Sequence, residues 1–394
     1  MRIPQDYVYL DWAATTPLCE EAANAMASYL IPGPKNIDFA ANANSLHSPG
    51  RNAFSAMEDA RMRVSRAVGA KRPNEIIFTS GATESDNTAV LGLIEQRVKD
   101  ERQRGNAAYR AHFITSAIEH DAVLSLLPVL RDRGCDVTVL KPDRQGRISV
   151  QALSEALRPD TALVSIMWAN NEVGTIQDIP ALAACAHAAG ALFHTDATQA
   201  VGKIPISFSA SGVDAASFSA HKVCGPKGIG ALYVKTGVRF EALLRGGGQE
   251  NGRRSGTQNV TGMVGFAAAC EAACKAVQEE QARLSALRDT LYRALCEEWR
   301  AKPSAGAVAD DGFLPNIVNV LVPGVESETL ILELDIAGFA VSGGSACSTG
   351  SLEPSHVLTA MGVPRDEALC SLRVSMGRYT TEEDIDRFIV AMKR

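Results

Sequence analysis

The segment that ends in Lys222 contains a side chain with clear potential for covalent chemistry. Lys222 follows Ser219 and His221 in an apolar stretch flanked by glycine, directly after the β-prone run AASFS. Removal from water lowers the pKa of a lysine and frees its amine to attack a carbonyl carbon. The motif alone indicates a structural salt bridge equally well, and Lys227, five residues later, is a rival candidate for the same role.

An acidic residue after the preceding predicted strand favours covalent chemistry at Lys222 over a structural salt bridge. Asp196 follows the run ALFHT, and Gln199 comes three residues later. A carboxylate at this place could keep the ring nitrogen of pyridoxal phosphate (PLP) protonated, which makes the ring an electron sink, and the amide could reach the ring 3-oxygen. An aspartate after a strand is, by itself, more often a cap or turn residue. Together with Lys222 after the next strand, Asp196 predicts a PLP site.

Two further segments could supply other contacts for such a cofactor. Residues 79–85 read TSGATES between a predicted strand and a helix, where hydroxyls and the first helical N–H groups can hold a phosphate, although a plain helix N-cap would look the same. Neither a Walker lysine nor a G-x-G-x-x-G fingerprint accompanies the run, so we expect a phosphate monoester rather than a dinucleotide. His120, after Glu119, could stack on an aromatic ring and move protons, although a lone histidine is more often a satisfied core residue.

A cysteine and an arginine near the end of the chain complete the set of candidates. Cys347 stands in the Gly/Ser-rich stretch 342–351, which has little bulk, so we expect a mobile loop. Contacts in the site would have to generate the Cys347 thiolate, and the alternative is a flexible loop that happens to carry a cysteine. Arg373 could grip a substrate carboxylate in a bidentate manner, and Arg378 is its nearest rival.

The elements that must position these residues follow from the pattern between about residues 75 and 235. The predicted strands are 75–79, 112–116, 136–140, 161–167, 191–195, 215–219 and 229–234. Helical patterns separate them, and this alternation predicts an α/β fold with a mainly parallel seven-stranded sheet covered on both faces. Ligand sites in such sheets lie at the carboxyl ends of the strands, so we expect the polar clusters after the strands to form one shared site.

The rest of the chain predicts a second, smaller part. Long helical stretches around 262–300 precede strands, the loop 342–351, one more strand and a final helix. We expect a large cofactor-binding domain at residues 15–260. Residues 1–14 and 261–394 are expected to form a smaller α+β domain that carries the loop with Cys347.

The composition is that of an ordinary globular protein. Of the 394 residues, 46% are hydrophobic and 21% are charged. The net charge of -6 argues against a general binder of nucleic acids. No apolar run approaches the ~20 residues that span a bilayer, and the N-terminus does not look like a secretion signal, so we expect a cytoplasmic protein. Nine scattered cysteines do not form a disulfide framework. Cys270 and Cys274, four residues apart, favour helix packing over a metal site, and we expect no metal.

Taken together, these motifs resemble the cysteine desulfurases of the NifS/IscS type, in the class V aminotransferase group of fold-type I PLP enzymes. The matching segments run nearly from end to end and include YLDWAATTP at 9–17, FTSGATESDN at 78–87, NNEVG at 170–174, HTDATQAVGK at 194–203, SFSAHKVCGPKGIGALY at 217–233, GGGQENGRRSGT at 246–257, GSACSTGSLEPSHVL at 344–358 and SLRVSMGR at 371–378. In this sequence the segment Asn42 to His47 lacks a proline that is usual in the family.

The resemblance implies a role for each matching position. Around the cofactor ring, Lys222 would bond to the aldehyde, His120 would stack on the ring and carry a proton, and Asp196 would pair with the ring nitrogen, while Gln199 and Asn170 would contact the ring oxygen and the substrate. The phosphate would be held by Ala82, Thr83, Ser219 and His221, together with Thr257 of the other subunit of a homodimer. Arg373 and Asn170 would bind the substrate carboxylate, and Cys347 would accept the sulfur.

The implied reaction removes sulfur from L-cysteine, giving L-alanine and a persulfide on Cys347 that passes to a sulfur-acceptor or iron–sulfur scaffold protein. The pathway that the sulfur enters, such as cluster assembly or thiolation of tRNA or cofactors, stays open.

Two other functions compete with that of a cysteine desulfurase. A selenocysteine lyase or another class V PLP lyase would share the fold, and a binding or scaffold protein could have kept the fold without catalysis. The cysteine in its loop favours the desulfurase over the lyase, and the intact Lys222, Asp196 and His120 argue against the scaffold.

Overall fold

The structure is a computed structural model that describes residues 6–33, 36–37, 41–306, 311–344 and 353–393. Within the described part of the chain, the N-terminal region contains strand β1 (Val8–Tyr9) and helices α1 (Glu20–Ala27) and α2 (Ser48–Ala67). His47 is the N-cap of helix α2, and its ring nitrogen accepts the backbone N–H of Gly50. This contact satisfies one of the N–H groups that a helix start leaves without an internal partner.

A mainly parallel sheet of seven strands forms the centre of the molecule, as the sequence predicts. Its strands are β2 (Ile76–Thr79), β3 (His112–Ser116), β4 (Asp136–Leu140), β5 (Thr161–Ser165), β6 (Leu192–Asp196), β7 (Ala215–Ser219) and β8 (Gly230–Val234). They lie in the order β2-β8-β7-β6-β5-β3-β4, and β8 runs antiparallel to both of its neighbours while the other pairs are parallel. The predicted fold class is therefore confirmed, and each predicted strand is present with small differences at its ends.

Helices cover both faces of this sheet. They are α3 (Ala82–Gln103), α4 (Asp121–Leu124), α5 (Leu126–Asp132), α6 (Val150–Ala156), α7 (Ile179–Ala188) and α8 (Phe208–Ser211). Successive strand residues point to opposite faces, so Ile76 and Phe78 join one hydrophobic cluster and Ile77 joins the other. Both faces are apolar, which explains why the strands read as nearly continuous hydrophobic runs.

The C-terminal part builds a second sheet and a third hydrophobic cluster. Its elements are α9 (Val260–Lys275), α10 (Val277–Trp299), β9 (Lys302–Pro303), β10 (Ile317–Leu321), α11 (Ser327–Ile336), β11 (Phe339–Ala340), α12 (His356–Ala360), α13 (Arg365–Ala368), β12 (Ser371–Ser375) and α14 (Glu382–Met392). Strands β12, β10 and β9 form an antiparallel sheet, and β1 pairs in parallel with β11. The cluster joins Leu10 to Leu291, Val318 and Phe388. The start of the chain therefore packs with its end.

Helix α9 lies against the large sheet rather than against the second one. Its residues Met263, Phe266 and Cys270 belong to the same hydrophobic cluster as strands of the large sheet and helices α1 and α2. The expected division of the chain at residue 260 stays a prediction, and this packing suggests that the larger unit continues past that point.

No single helix within the described ranges is both long and apolar enough to cross a membrane. The consecutive helices α9 and α10 reach that length and composition only as a pair, with a bend of 69° between them.

Candidate active site

A cavity of about 470 Å³ opens at the carboxyl ends of the parallel strands. Nine of the residues singled out from the sequence line it, namely Ala82, Thr83, His120, Asp196, Gln199, Ser219, His221, Lys222 and Arg373. They come from the ends of β3, β6 and β7, from the start of α3 and from β12 of the second sheet. The polar clusters that are far apart in the sequence therefore meet in one place.

Lys222 ends a short 3-10 helix, Ala220–Lys222, that follows β7 directly. Its Nζ donates hydrogen bonds to the backbone carbonyls of Ala13 and Ala14, each at 2.6 Å. The rival Lys227 also borders the cavity, but it is exposed at the rim, whereas Lys222 is partly buried in the wall. Lys222 is thus the better placed of the two amines to meet an aldehyde inside the cavity.

Asp196 and Gln199 lie beside each other on the turn after β6. Asp196 is buried, and its Oδ1 accepts the backbone N–H of Thr198 at 2.9 Å, which fixes the carboxylate against the turn. The Gln199 amide Nε2 donates to the carbonyl of Ala13 at 3.0 Å, and its Oε1 accepts a hydrogen bond from Lys203 Nζ. Both side chains are therefore oriented by contacts within this chain.

The turn between β2 and α3 forms an anion cradle. Gly81 is the N-cap of α3 and provides no side-chain cap, so the described contacts leave the first helical N–H groups available for a ligand. A Cβ atom on Gly230 of β8 would lie 2.7 Å from the Cα of Gly81, so only glycine permits this close approach. Glu84 in the first turn pairs with Arg254 at 2.8 Å, which offsets its negative charge near the cradle.

The two histidines of the cavity hold defined tautomers or charge states. His120 is the N-cap of α4, and its Nδ1 accepts the backbone N–H of Ala122 at 3.0 Å, so the neutral ring carries its proton on Nε2. Burial, together with the charge of Lys222, lowers the pKa of His221 to about 4. His221 is therefore neutral at pH 7, and its Nδ1 lies 3.1 Å from the hydroxyl of Thr15.

Arg373 reaches the cavity from β12 and is almost completely buried. Its Nη2 contacts Asp11 Oδ1 and its Nη1 donates to the carbonyl of Asn171, both at 2.9 Å. Its Nε has no hydrogen-bond partner among the described residues. The rival Arg378 does not border this cavity and pairs with Glu21 instead, so Arg373 is the guanidinium available to a carboxylate there.

Among the described residues, two of the predicted site residues do not border the cavity. Asn170 is buried in the turn after β5, where its Oδ1 accepts the N–H groups of Glu172 and Val173, and its neighbour Asn171 borders the cavity instead. Thr257 is exposed and does not border the cavity of its own chain. Cys347 lies outside the described residues. The ligand contacts of these three residues stay predictions.

Sequence reasoning missed the part that residues 11–16 play; we call them the N-terminal strap. The strap supplies carbonyls to Lys222 and Gln199, hydroxyls to the segment around His221, and the carboxylate of Asp11 to Arg373. Most of these contacts use backbone atoms of alanine and the hydroxyls of threonine, which carry little chemical signal in a sequence. The preservation of the family motif YLDWAATTP was the available hint.

Two buried carboxyl groups, Asp86 in the cavity wall and Glu119 next to His120 in the chain, were not predicted to interact with Asp196. Burial, and then the charge of Asp196, raises the pKa of Asp86 well above its usual range, and both of its oxygens lack a hydrogen-bond partner among the described residues. Burial raises the pKa of Glu119 to about 8. Glu119 therefore holds a proton at pH 7, and the raised pKa of Asp86 favours its neutral form, which reduces the repulsion between these carboxyl groups and Asp196. No described set of three or more His, Cys, Asp or Glu side chains could hold a metal ion.

The sheet order and the cavity define an α/β enzyme whose site combines a partly buried lysine, an aspartate on the neighbouring strand and an anion cradle. The chain belongs to the aminotransferase class-V family, which it matches over residues 8–388. It is 45% identical to a cysteine desulfurase of Gluconacetobacter diazotrophicus over 98% of this chain and 92% of that protein. It is 43% identical to the cysteine desulfurase IscS of Dictyoglomus turgidum over 98% of this chain and 94% of that protein.

The fold comparison agrees with the sequence comparison. A solved structure described as a NifS-like protein covers 98% of each chain with a TM-score of 0.87 and 36% identity. These comparisons confirm the resemblance to the NifS/IscS type that the motifs indicate.

Proposed function

We propose that this chain is a PLP-dependent cysteine desulfurase that releases sulfur from L-cysteine as a persulfide on Cys347 and leaves L-alanine. The observation that carries the proposal is the meeting of Lys222, Asp196 and the start of α3 in one cavity. The relatives named cysteine desulfurase, which match almost the whole chain, support the choice of substrate. The alternative of a selenocysteine lyase has no observation in its favour.

The residues that border the cavity fit PLP. The cofactor needs an amine for its aldehyde, a carboxylate for its ring nitrogen and N–H donors for its phosphate. Lys222, Asp196 and the cradle around Gly81 provide these groups, with Ser219 and His221 beside the cradle. Around Gly81 the cradle has open space, because the nearest atom to a Cβ placed on Gly81 would be the Ser219 hydroxyl oxygen, at 4.0 Å. The volume of about 470 Å³ lies within the usual range for sites of small ligands.

Three side chains that border the cavity can be assigned roles in the reaction. When bound, PLP supplies an electron sink for the negative charge that develops on the substrate α-carbon. Lys222 Nζ takes the α-proton, and the carbonyls of Ala13 and Ala14 hold the resulting ammonium. Arg373 positions the substrate carboxylate, while Asp11 and the Asn171 carbonyl keep the guanidinium in place. His120, with its proton on Nε2, can donate that proton to a group in the cavity that it borders.

Cys347 performs the sulfur transfer. Its thiolate attacks the sulfur of the bound cysteine, a sulfur–sulfur bond forms, and the carbon–sulfur bond breaks with its electron pair left on the substrate carbon. Protonation of that carbon and return of a proton to the α-carbon by Lys222 complete L-alanine, and Cys347 holds the persulfide. The persulfide then passes to an acceptor or iron–sulfur scaffold protein. We further propose a homodimer in the cytoplasm, in which Thr257 of one subunit contacts the phosphate in the other, without direct binding of nucleic acid or membrane.

The test is the production of sulfide and alanine from L-cysteine in the presence of a thiol reductant. Wild-type protein with PLP should give one alanine for each sulfide. Lys222→Ala should lose turnover and the yellow colour of the bound cofactor, and Cys347→Ala should keep the colour but lose almost all turnover. Cys370→Ala, at a partly buried cysteine outside the cavity, is the matched control and should behave as wild type. Turnover retained by Cys347→Ala would contradict the persulfide route.

A further inference from the structure

A second amine lies behind the active-site cavity. Lys203 follows Gln199 by four residues and borders a separate cavity of about 210 Å³, which shares Lys222 with the first one. Burial, and then the charge of Lys222, lowers the pKa of Lys203 to about 7. Its Nζ donates a hydrogen bond to Oε1 of Gln199. The proposed reaction gives this lysine no task.

The two contacts of Gln199 fix the orientation of its amide. The carbonyl of Ala13 can only accept, so the Gln199 nitrogen must face it, at 3.0 Å. The ammonium of Lys203 can only donate, so the Gln199 oxygen must face Lys203. The neutral amine of Lys203 donates an N–H to the same oxygen. If the amide were flipped, both hydrogen bonds would be lost. Its oxygen would then face the carbonyl oxygen of Ala13, and its nitrogen would face the nitrogen of Lys203.

We propose that Lys203 is a positioning residue that acts through Gln199, holding the amide so that its N–H, and not its carbonyl, is presented to the 3-oxygen of bound PLP. The inference rests on the proposed function, because it needs PLP in the cavity that Gln199 borders. An N–H group stabilises an anionic oxygen, whereas a carbonyl oxygen in the same place would repel it. Lys203 does not itself border the active-site cavity, so it acts on the cofactor without touching it.

The experiment is a double-mutant cycle on PLP binding. Apoprotein of Lys203→Met, Gln199→Ala and the double variant is titrated with PLP by tryptophan fluorescence, and the absorption band of each loaded protein is followed against pH. Lys203→Met should weaken PLP binding by about tenfold, the usual scale for one hydrogen bond to a charged group. It should also shift the absorption midpoint in the same direction as Gln199→Ala, and the double variant should be no worse than Gln199→Ala alone.

Controls separate a positioning role from a structural one. Lys203→Arg keeps a donor and has space beside it in the second cavity, so it should restore wild-type affinity and absorption. Lys203→Leu replaces Lys203→Met if the latter does not fold, with the same expected result. Wild-type affinity and spectrum in the Lys203→Met protein, or losses that multiply in the double variant, would overturn the inference alone. A wild-type protein that binds no PLP would overturn the proposed function and the inference with it.

Discussion

Breaking the buried ion pair between Arg61 and Glu250 by removing one charge should cost much more stability than breaking a surface pair of the same geometry. Arg61 Nη1 and Nη2 lie 2.6 and 2.8 Å from the two oxygens of Glu250, and the two side chains are only 5% and 1% exposed. The backbone N–H of Phe78 also donates to Glu250, at 3.1 Å. Glu250→Gln keeps the size of the side chain but leaves the buried charge of Arg61 without this partner.

The expected cost follows from the contacts that remain. Breaking a buried pair costs about 3–5 kcal/mol, and we expect the lower end, about 3 kcal/mol, because Glu58 still lies 3.0 Å from Arg61 Nε. Glu21→Gln is the matched control, since Glu21 and Arg378 form a similar two-bond pair at 2.6 and 2.9 Å with side chains that are 40% and 41% exposed. That change should cost at most about 1 kcal/mol.

Equilibrium unfolding of the two variants in guanidinium chloride, beside the wild type, measures the difference. We expect a clear fall in the denaturant midpoint for Glu250→Gln and little change for Glu21→Gln. Equal shifts of the midpoint for both variants would refute the reasoning, because burial would then not determine how much stability is lost when the ion pair is broken. The loop that contains Glu250 also carries Thr257, so loss of PLP affinity in Glu250→Gln is a further expected effect.

Three other changes test single groups of the site. Since the folded state raises the pKa of Glu119 to about 8, it binds a proton that the unfolded chain releases above its ordinary pKa. The free energy of unfolding should therefore fall as pH rises from about 6 to about 8. The fall should be smaller in Glu119→Gln, and thermal unfolding of both proteins at the two pH values measures it. Asp196→Asn should keep PLP but lower kcat by about 100-fold or more in the alanine assay. Arg373→Lys loses bidentate geometry and should raise KM for L-cysteine by about tenfold, without changing the absorption of the bound cofactor.

The large sheet could be predicted from the sequence because its signals are local. Each strand is a short run of β-branched or small apolar residues, and helical patterns follow most of them, so the order of elements and the mainly parallel arrangement follow. The reversed direction of β8 and the pairing of β1 with β11 depend on contacts between distant parts of the chain. Such pairings leave no periodic pattern in either segment, which is why the sequence alone did not predict them.

The candidate site divides in the same way. Lys222, Asp196 and His120 each follow a strand, so the rule for carboxyl ends of parallel strands was enough to bring them together. The N-terminal strap acts through backbone carbonyls, and Lys203 acts through a neighbouring amide, so neither role can be read from residue types. The Oδ1 of Asn170 accepts two backbone N–H groups of the turn in which it lies, and its contact with a ligand stays a prediction.

The central claim is that the amine of Lys222 bonds to the aldehyde of PLP. The most direct measurement is to load the protein with PLP, reduce the bond with borohydride, digest the protein and locate the modified lysine by mass spectrometry. We expect a single pyridoxyl group on Lys222. A label on Lys227 or Lys203, or no label on a protein that has bound PLP, would contradict it.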